Sequence, residues 1–190
     1  NELGDVYLML GHMNFFITRS EKAAYYYRKA VDCFRETGNA ESLDNSYALM
    51  AATFNFLWGQ PIDSALFYAY KTLEYARKIK DTRREAHALL VIGMIYGMEN
   101  ESLSKRQKSP TFNDSALKMV TAFQDEDRMC IIHVNTGSYY EPGIPQTANP
   151  ELSKLHYQKG LELARKNGNN YMQSLCLNLL SNYDIQEGNY

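Results

Sequence analysis

The sequence predicts an all-α fold, an array of stacked helical hairpins, and three observations predict it. The chain holds 15 Tyr, 8 Phe and 8 Met against only 11 Gly and 5 Pro, a balance that favours long helices over the many turns of an all-β fold. Large and small side chains recur at i, i+3 and i+4, so that large ones share a helix face and small ones admit a second helix. The small residues Gly11, Thr53 and Gly93 lie 42 and 40 residues apart, a period in the range that marks repeat architectures.

The elements follow in order. Tyr7-x2-Leu10-Gly11 opens the first hairpin and Ala23-x3-Tyr27-x2-Ala30 closes it. The second reads Leu49-x2-Ala52-Thr53-x2-Phe56, then Ala65-x3-Ala69-x2-Thr72, and the third begins Leu89-x2-Ile92-Gly93-x2-Tyr96. Later, Ser153-x3-Tyr157-x2-Gly160-Leu161 repeats the second-helix half and Leu177-x2-Leu180-Ser181 the first-helix half. These patterns predict helices over about 2–18, 20–37, 41–58, 62–79, 82–99, 113–124, 126–139, 151–167 and 170–187. Pro61 and Pro150 fit at or just before helix starts, where a missing N–H costs nothing. The helix from Arg128 to Tyr140 carries no clear register.

Two segments interrupt the spacing. From Gly93 to Ala116 is 23 residues, against 12 from Gly11 to Ala23; the excess of 11 falls in the polar stretch Glu99–Pro110, which predicts a long loop. The second, Glu141–Pro150, holds three prolines and cannot be helical throughout. Both join the first helix of a hairpin to its second, so both should emerge at one edge, either as flaps beside a groove or as neutral insertions.

These residues resemble the tetratricopeptide repeat, with its W-x2-L-G-x2-Y in the first helix and A-x3-F-x2-A in the second. The period near 40, with Ala76-Arg77-Lys78-x-x-Asp81 and Ala164-Arg165-Lys166-x-Gly168-Asn169 as linkers, is similar to the subgroup with extended helices. Asn14 and Asp184 depart from the pattern where an aromatic is usual, and Ala69 where a bulky residue is. The resemblance implies a right-handed α-solenoid of about four and a half hairpins in one domain over 1–190, with repeats at about 4–40, 41–81, 82–125 and 126–169 and a half repeat at 170–190.

It also implies a binding groove. Ligand-facing positions of the family fall on Asp5, Leu8, His12, Phe15 and Phe16 in the first repeat, and on Tyr47, Met50, Phe54, Leu57 and Trp58 in the second. In the third they fall on His87, Leu90, Met94, Gly97 and Met98, and in the fifth on Leu175, Asn178, Asn182, Ile185 and Gln186. The clamp versions of the family, which grip chaperone C-termini, place Lys, Asn and Arg where this chain has Leu8, His12, Met50, Phe54, Leu90 and Met94. An aromatic and methionine stripe replaces that clamp, and it suits an apolar or amphipathic protein segment. The alternative is that extended helices close the superhelix and these side chains bury one another.

Composition narrows the partner further. A net charge of -2 from 20 basic and 22 acidic residues gives no polyanion-binding surface, so nucleic acid is not an expected partner. No apolar run approaches the roughly 20 residues that cross a bilayer. Cys33, Cys130 and Cys176 have no metal spacing and stand beside Phe34, Ile131 and Leu177 as small core hydrophobes. His12, His87, His133 and His156 show no i, i+4 pairing, and Asp125-Glu126-Asp127 reads as a helix N-terminal cap. Phosphate-loop, dinucleotide, zinc-protease and nucleophile-elbow motifs are missing. The expected protein is therefore a non-catalytic binding scaffold with no metal or cofactor. The alternative is the input region of a bacterial signalling protein, a sensor kinase or helix-turn-helix regulator, which the family's forty-residue arrays accompany. The missing initiator Met suggests a piece of a longer protein, and the unpaired thiols favour a reducing cytoplasm over an extracytoplasmic sensor region.

Overall fold

A computed structural model of the chain describes residues 2–55, 62–99, 102–143 and 145–187, with the side chains of 52, 54, 55 and 184–187 left out. Among the described residues the fold is entirely helical, with no strand. The helices are α1 (Glu2–Phe16), α2 (Ser20–Thr37), α3 (Ala40–Asn55), α4 (Ile62–Lys78), α5 (Thr82–Gly97), α6 (Leu103–Arg106), α7 (Ser109–Ala122), α8 (Glu126–Tyr139), α9 (Pro150–Lys166) and α10 (Asn170–Glu187). Two compact units divide the chain, residues 1–95 and 96–190. In the first, α1 packs on α2, α2 on α3 and α3 on α4; in the second, α7 packs on α8, α8 on α9 and α9 on α10.

Four turns, those entering α3, α5, α8 and α10, are built alike. Gly38, Lys80, Gln124 and Gly168 adopt positive φ of 69°, 57°, 56° and 71°. Their amides donate to Arg35, Arg77, Thr121 and Arg165, while the next residue's amide reaches back to the carbonyl of Phe34, Ala76, Val120 or Ala164 at 2.9–3.1 Å. That pair of bonds satisfies carbonyls the ending helix leaves open. The following residue then caps the next helix: Asn39, Asp81, Asp125 and Asn169 accept from the amides of Ser42, Arg84, Arg128 and Met172 at 2.9–3.1 Å. The spacings between successive turns are 42, 44 and 44 residues. The acidic run at Asp125 is thus a cap, as its position predicts.

The same period governs the interior. The buried positions include Ala23, Tyr27, Ala30 and Phe34 on α2, Ala65, Ala69, Thr72 and Ala76 on α4, and Ser153, Tyr157, Gly160 and Ala164 on α9. Each set is i, i+4, i+7, i+11, one stripe of a helix. On α7 the stripe is Ser109, Asn113, Ala116 and Val120, which corrects the sequence reading. Ala116 occupies the third position of the stripe, not the first, so Gly93 to Ser109 is 16 residues and the insertion is four residues rather than 11. The polar stretch predicted as a loop contains α6 and the first two residues of α7. Asn113 stands where Tyr27 and Tyr157 stand in their hairpins, and this polar substitution hid the register.

Gly137 supplies the register of α8 that the sequence withheld. A Cβ there would fall 2.5 Å from the Tyr157 ring, as one on Gly11 would fall 2.3 Å from the Tyr27 ring. Gly137 to Ser153 is again 16 residues, so the Glu141–Pro150 segment is also a four-residue insertion. Arg106 joins the two inserted segments. Its side chain, 5% exposed, donates to the carbonyls of Gly97 and Glu99 at the end of α5, to that of Tyr139 at the end of α8 (3.1 Å), and to Thr147 Oγ1 (3.4 Å). A guanidinium suits helix C-terminal carbonyls, whose dipoles are negative there. The Tyr139 ring lies 5.2 Å beneath it.

Candidate protein-binding surface

The first helix is apolar nearly all round. Its inner face is set by Gly4 and Gly11, over which the rings of Phe34 and Tyr27 lie so closely that no Cβ fits. Leu8 and Phe15 pack on the core beside them, and Tyr7 stacks on Tyr26. Leu3, Val6, Met9, Met13 and Phe16, with Ile17 just beyond the helix, are between 49% and 81% exposed. At 100° per residue they form one stripe along the length of α1. Asp5 and His12 flank it, and Glu2 stands at its N-terminal end, all three exposed. Beside Leu3 and Tyr7 a shallow groove between α1 and α2 is lined by Lys29, Asp32, Cys33, Arg35 and Glu36, so the apolar stripe has a charged rim. Contiguous exposed apolar surface rimmed by charge is the usual mark of an interaction site.

The predicted groove residues scatter across three environments. His12, Phe16, Met98, Asn178 and Asn182 are exposed. Phe15, Tyr47, His87 and Met94 are half-buried; Phe15 and Tyr47 pack on the core around Ala23, Tyr27 and Val31, and Tyr47 meets the ring of Tyr68 at 5.8 Å. Met50 and Leu90 are 0% and 4% exposed. These two cannot line an open groove: Met50 belongs to the interior with Ala23, Tyr27 and Val31. Leu57, Trp58 and the side chain of Phe54 lie outside the described residues. Leu3, Val6, Met9, Met13 and Ile17 were not among the predicted residues; the signal for them was the lack of amphipathicity in α1.

The interior holds polar groups that sequence spacing does not reveal. His133 of α8 and His156 of α9 face each other with Nδ1 atoms 3.0 Å apart, and the Tyr140 ring stacks on His156 at 6.2 Å. Among the described residues no three His, Cys, Asp or Glu side chains are grouped to hold a metal ion. Cys130 and Cys176 are both buried and free. The Cys130 thiol donates to the Gly160 carbonyl at 3.2 Å, and burial pushes it up to about 12, which keeps it a thiol rather than a nucleophilic thiolate at neutral pH. Asp44 is buried against Arg84, Oδ2 to Nη1 2.5 Å, tying α3 to α5. No helix among the described residues is long and apolar enough to cross a membrane.

Compared with known proteins, the chain matches no protein-family model and no curated protein. The functional reading therefore rests on its own surface and repeats.

Proposed function

We propose that the chain is a non-catalytic protein-binding scaffold, a right-handed solenoid of tetratricopeptide-type hairpins, whose ligand is an amphipathic or apolar segment of another protein. The observation that carries the proposal is the α1 stripe, six large apolar side chains exposed along one helix edge. Two of them are methionines, whose flexible thioethers adapt to varied partners, and Phe16 offers a rigid anchor. The charged groove at the Leu3 end suits the polar face of an amphipathic helix laid along it. The turns repeated at 42, 44 and 44 residues support the solenoid, since identical hairpins stack with one rotation per repeat.

Selection of peptides from a displayed random library tests the reading. The scaffold should recover peptides with apolar residues at i, i+3 or i+4 and i+7, and Met13→Glu with Phe16→Glu should abolish their binding while helicity is kept. Recovery of no consensus, or binding that ignores both substitutions, would overturn it.

A further inference from the structure

We infer that His133 and His156 form an acid-sensitive latch between α8 and α9. The inference goes beyond partner binding and rests on the second unit alone. The two Nδ1 atoms are 3.0 Å apart, hydrogen-bond distance for one proton shared between two nitrogens. With both rings neutral, one Nδ1 donates and the other accepts. A first added proton goes to an outer nitrogen and leaves that bond in place. A second must put N–H against N–H, and the pair then repels within a packed interface where His133 is 8% exposed.

The surroundings add to the cost of charging. Burial is the largest influence on both rings and lowers both, His133 to about 4, followed for His133 by the charge of His156 itself. Lys159 of α9 lowers both further, and Asp114 of α7 opposes it at His156. Tyr140, stacked on His156, ends α8 and accepts the amide of Asn149 at 2.8 Å, so both ends of the 141–149 segment lie next to the latch. Opening it loosens the α8–α9 seam where that segment leaves α8 and enters α9.

The sign follows from linkage. An imidazole held below its unfolded value stabilises the folded chain above that value, and the contribution disappears as pH falls through the folded one. From an unfolded value near 6.5 to a folded one near 4, His133 alone raises the opening constant roughly 20-fold between pH 7 and pH 5.

Hydrogen exchange of the full chain, corrected for intrinsic rates and read on segments of α8 and α9, measures this. Wild-type protection should fall about 20-fold from pH 7 to pH 5, and in His133→Gln by less than about threefold. An equal fall in both proteins, or no fall in the wild type, overturns the latch. If His133→Gln does not fold, titration of the wild-type imidazole nitrogens by NMR decides. Two coupled, depressed titrations support the latch, and a His133 titration near the ordinary value of about 6.5 overturns it.

Discussion

Replacing Gly11 by Ala tests the interior logic of the first hairpin. In an exposed helix this change stabilises by about 1 kcal/mol, through lower backbone entropy in the unfolded chain. Here the new Cβ falls 2.3 Å from Tyr27 Cε1 and 2.5 Å from Cδ1, far inside van der Waals contact. The ring cannot swing away: Tyr27 is 1% exposed and meets the His12 ring edge-on at 5.6 Å. Overpacking of this kind costs about 1–3 kcal/mol, and a pinned ring places it at or above the top of that range. The net expectation is a loss of about 2 kcal/mol, or roughly 30-fold in the unfolding constant. Urea titration followed by far-UV circular dichroism reads it. Tyr27→Leu in the Gly11→Ala background should recover at least about 1 kcal/mol relative to the sum of the single changes, because the two side chains compete for one space. The second hairpin already shows the inverse combination at the same 16-residue spacing, Thr53 with Ala69, both buried. A neutral or stabilising Gly11→Ala, or strictly additive effects, would refute the argument.

Three further outcomes follow from the same geometry. Lys80→Gly and Gln124→Gly, at positive φ of 57° and 56°, should each stabilise by about 0.5–1 kcal/mol in thermal melts, because a Cβ is disfavoured there. Arg84→Met strands the buried Asp44 carboxylate and should cost about 3 kcal/mol at neutral pH. Burial already holds Asp44 above its ordinary range, so the folded variant takes up that proton before the unfolded chain does, and chemical denaturation should find much of the loss recovered on acidification. Arg106→Gln removes the donor shared by the ends of α5 and α8 and should cost about 2–3 kcal/mol, seen as faster hydrogen exchange across 97–109 and 139–149 while the first unit is unchanged.

Most of the helices were legible because their stripes and caps are written locally. Asn39, Asp81, Asp125 and Asn169 each sit one residue beyond a positive-φ position, and cap chemistry needs only near neighbours. What was not legible depended on partners distant in the chain. Asn113 breaks the aromatic pattern, so α7 was registered two helical turns late. Arg106 lies in a polar run that reads as loop, and only tertiary packing shows the carbonyls it serves. His133 and His156, 23 residues apart, carry no shared motif; they meet because α8 and α9 pack antiparallel across the inserted segment. Met50 was placed on a groove by family position, yet its neighbours Ala23, Tyr27 and Val31 enclose it. The α1 stripe escaped because the groove positions were taken from the family pattern instead of from the spread of apolar residues around that helix.

Methyl-selective NMR of methionine-labelled protein, titrated with a peptide recovered by library selection, tests the binding account most directly. The chain's 8 methionines report from different places: Met9 and Met13 are 66% and 63% exposed on the stripe, whereas Met50 and Met172 are 0% and 7% exposed in two interiors. Binding along α1 should shift the Met9 and Met13 methyl resonances at saturation and leave Met50 and Met172 in place. Shifts confined to Met94, Met98 or the second unit, with Met9 and Met13 unmoved, would contradict the assignment of the α1 stripe as the working surface.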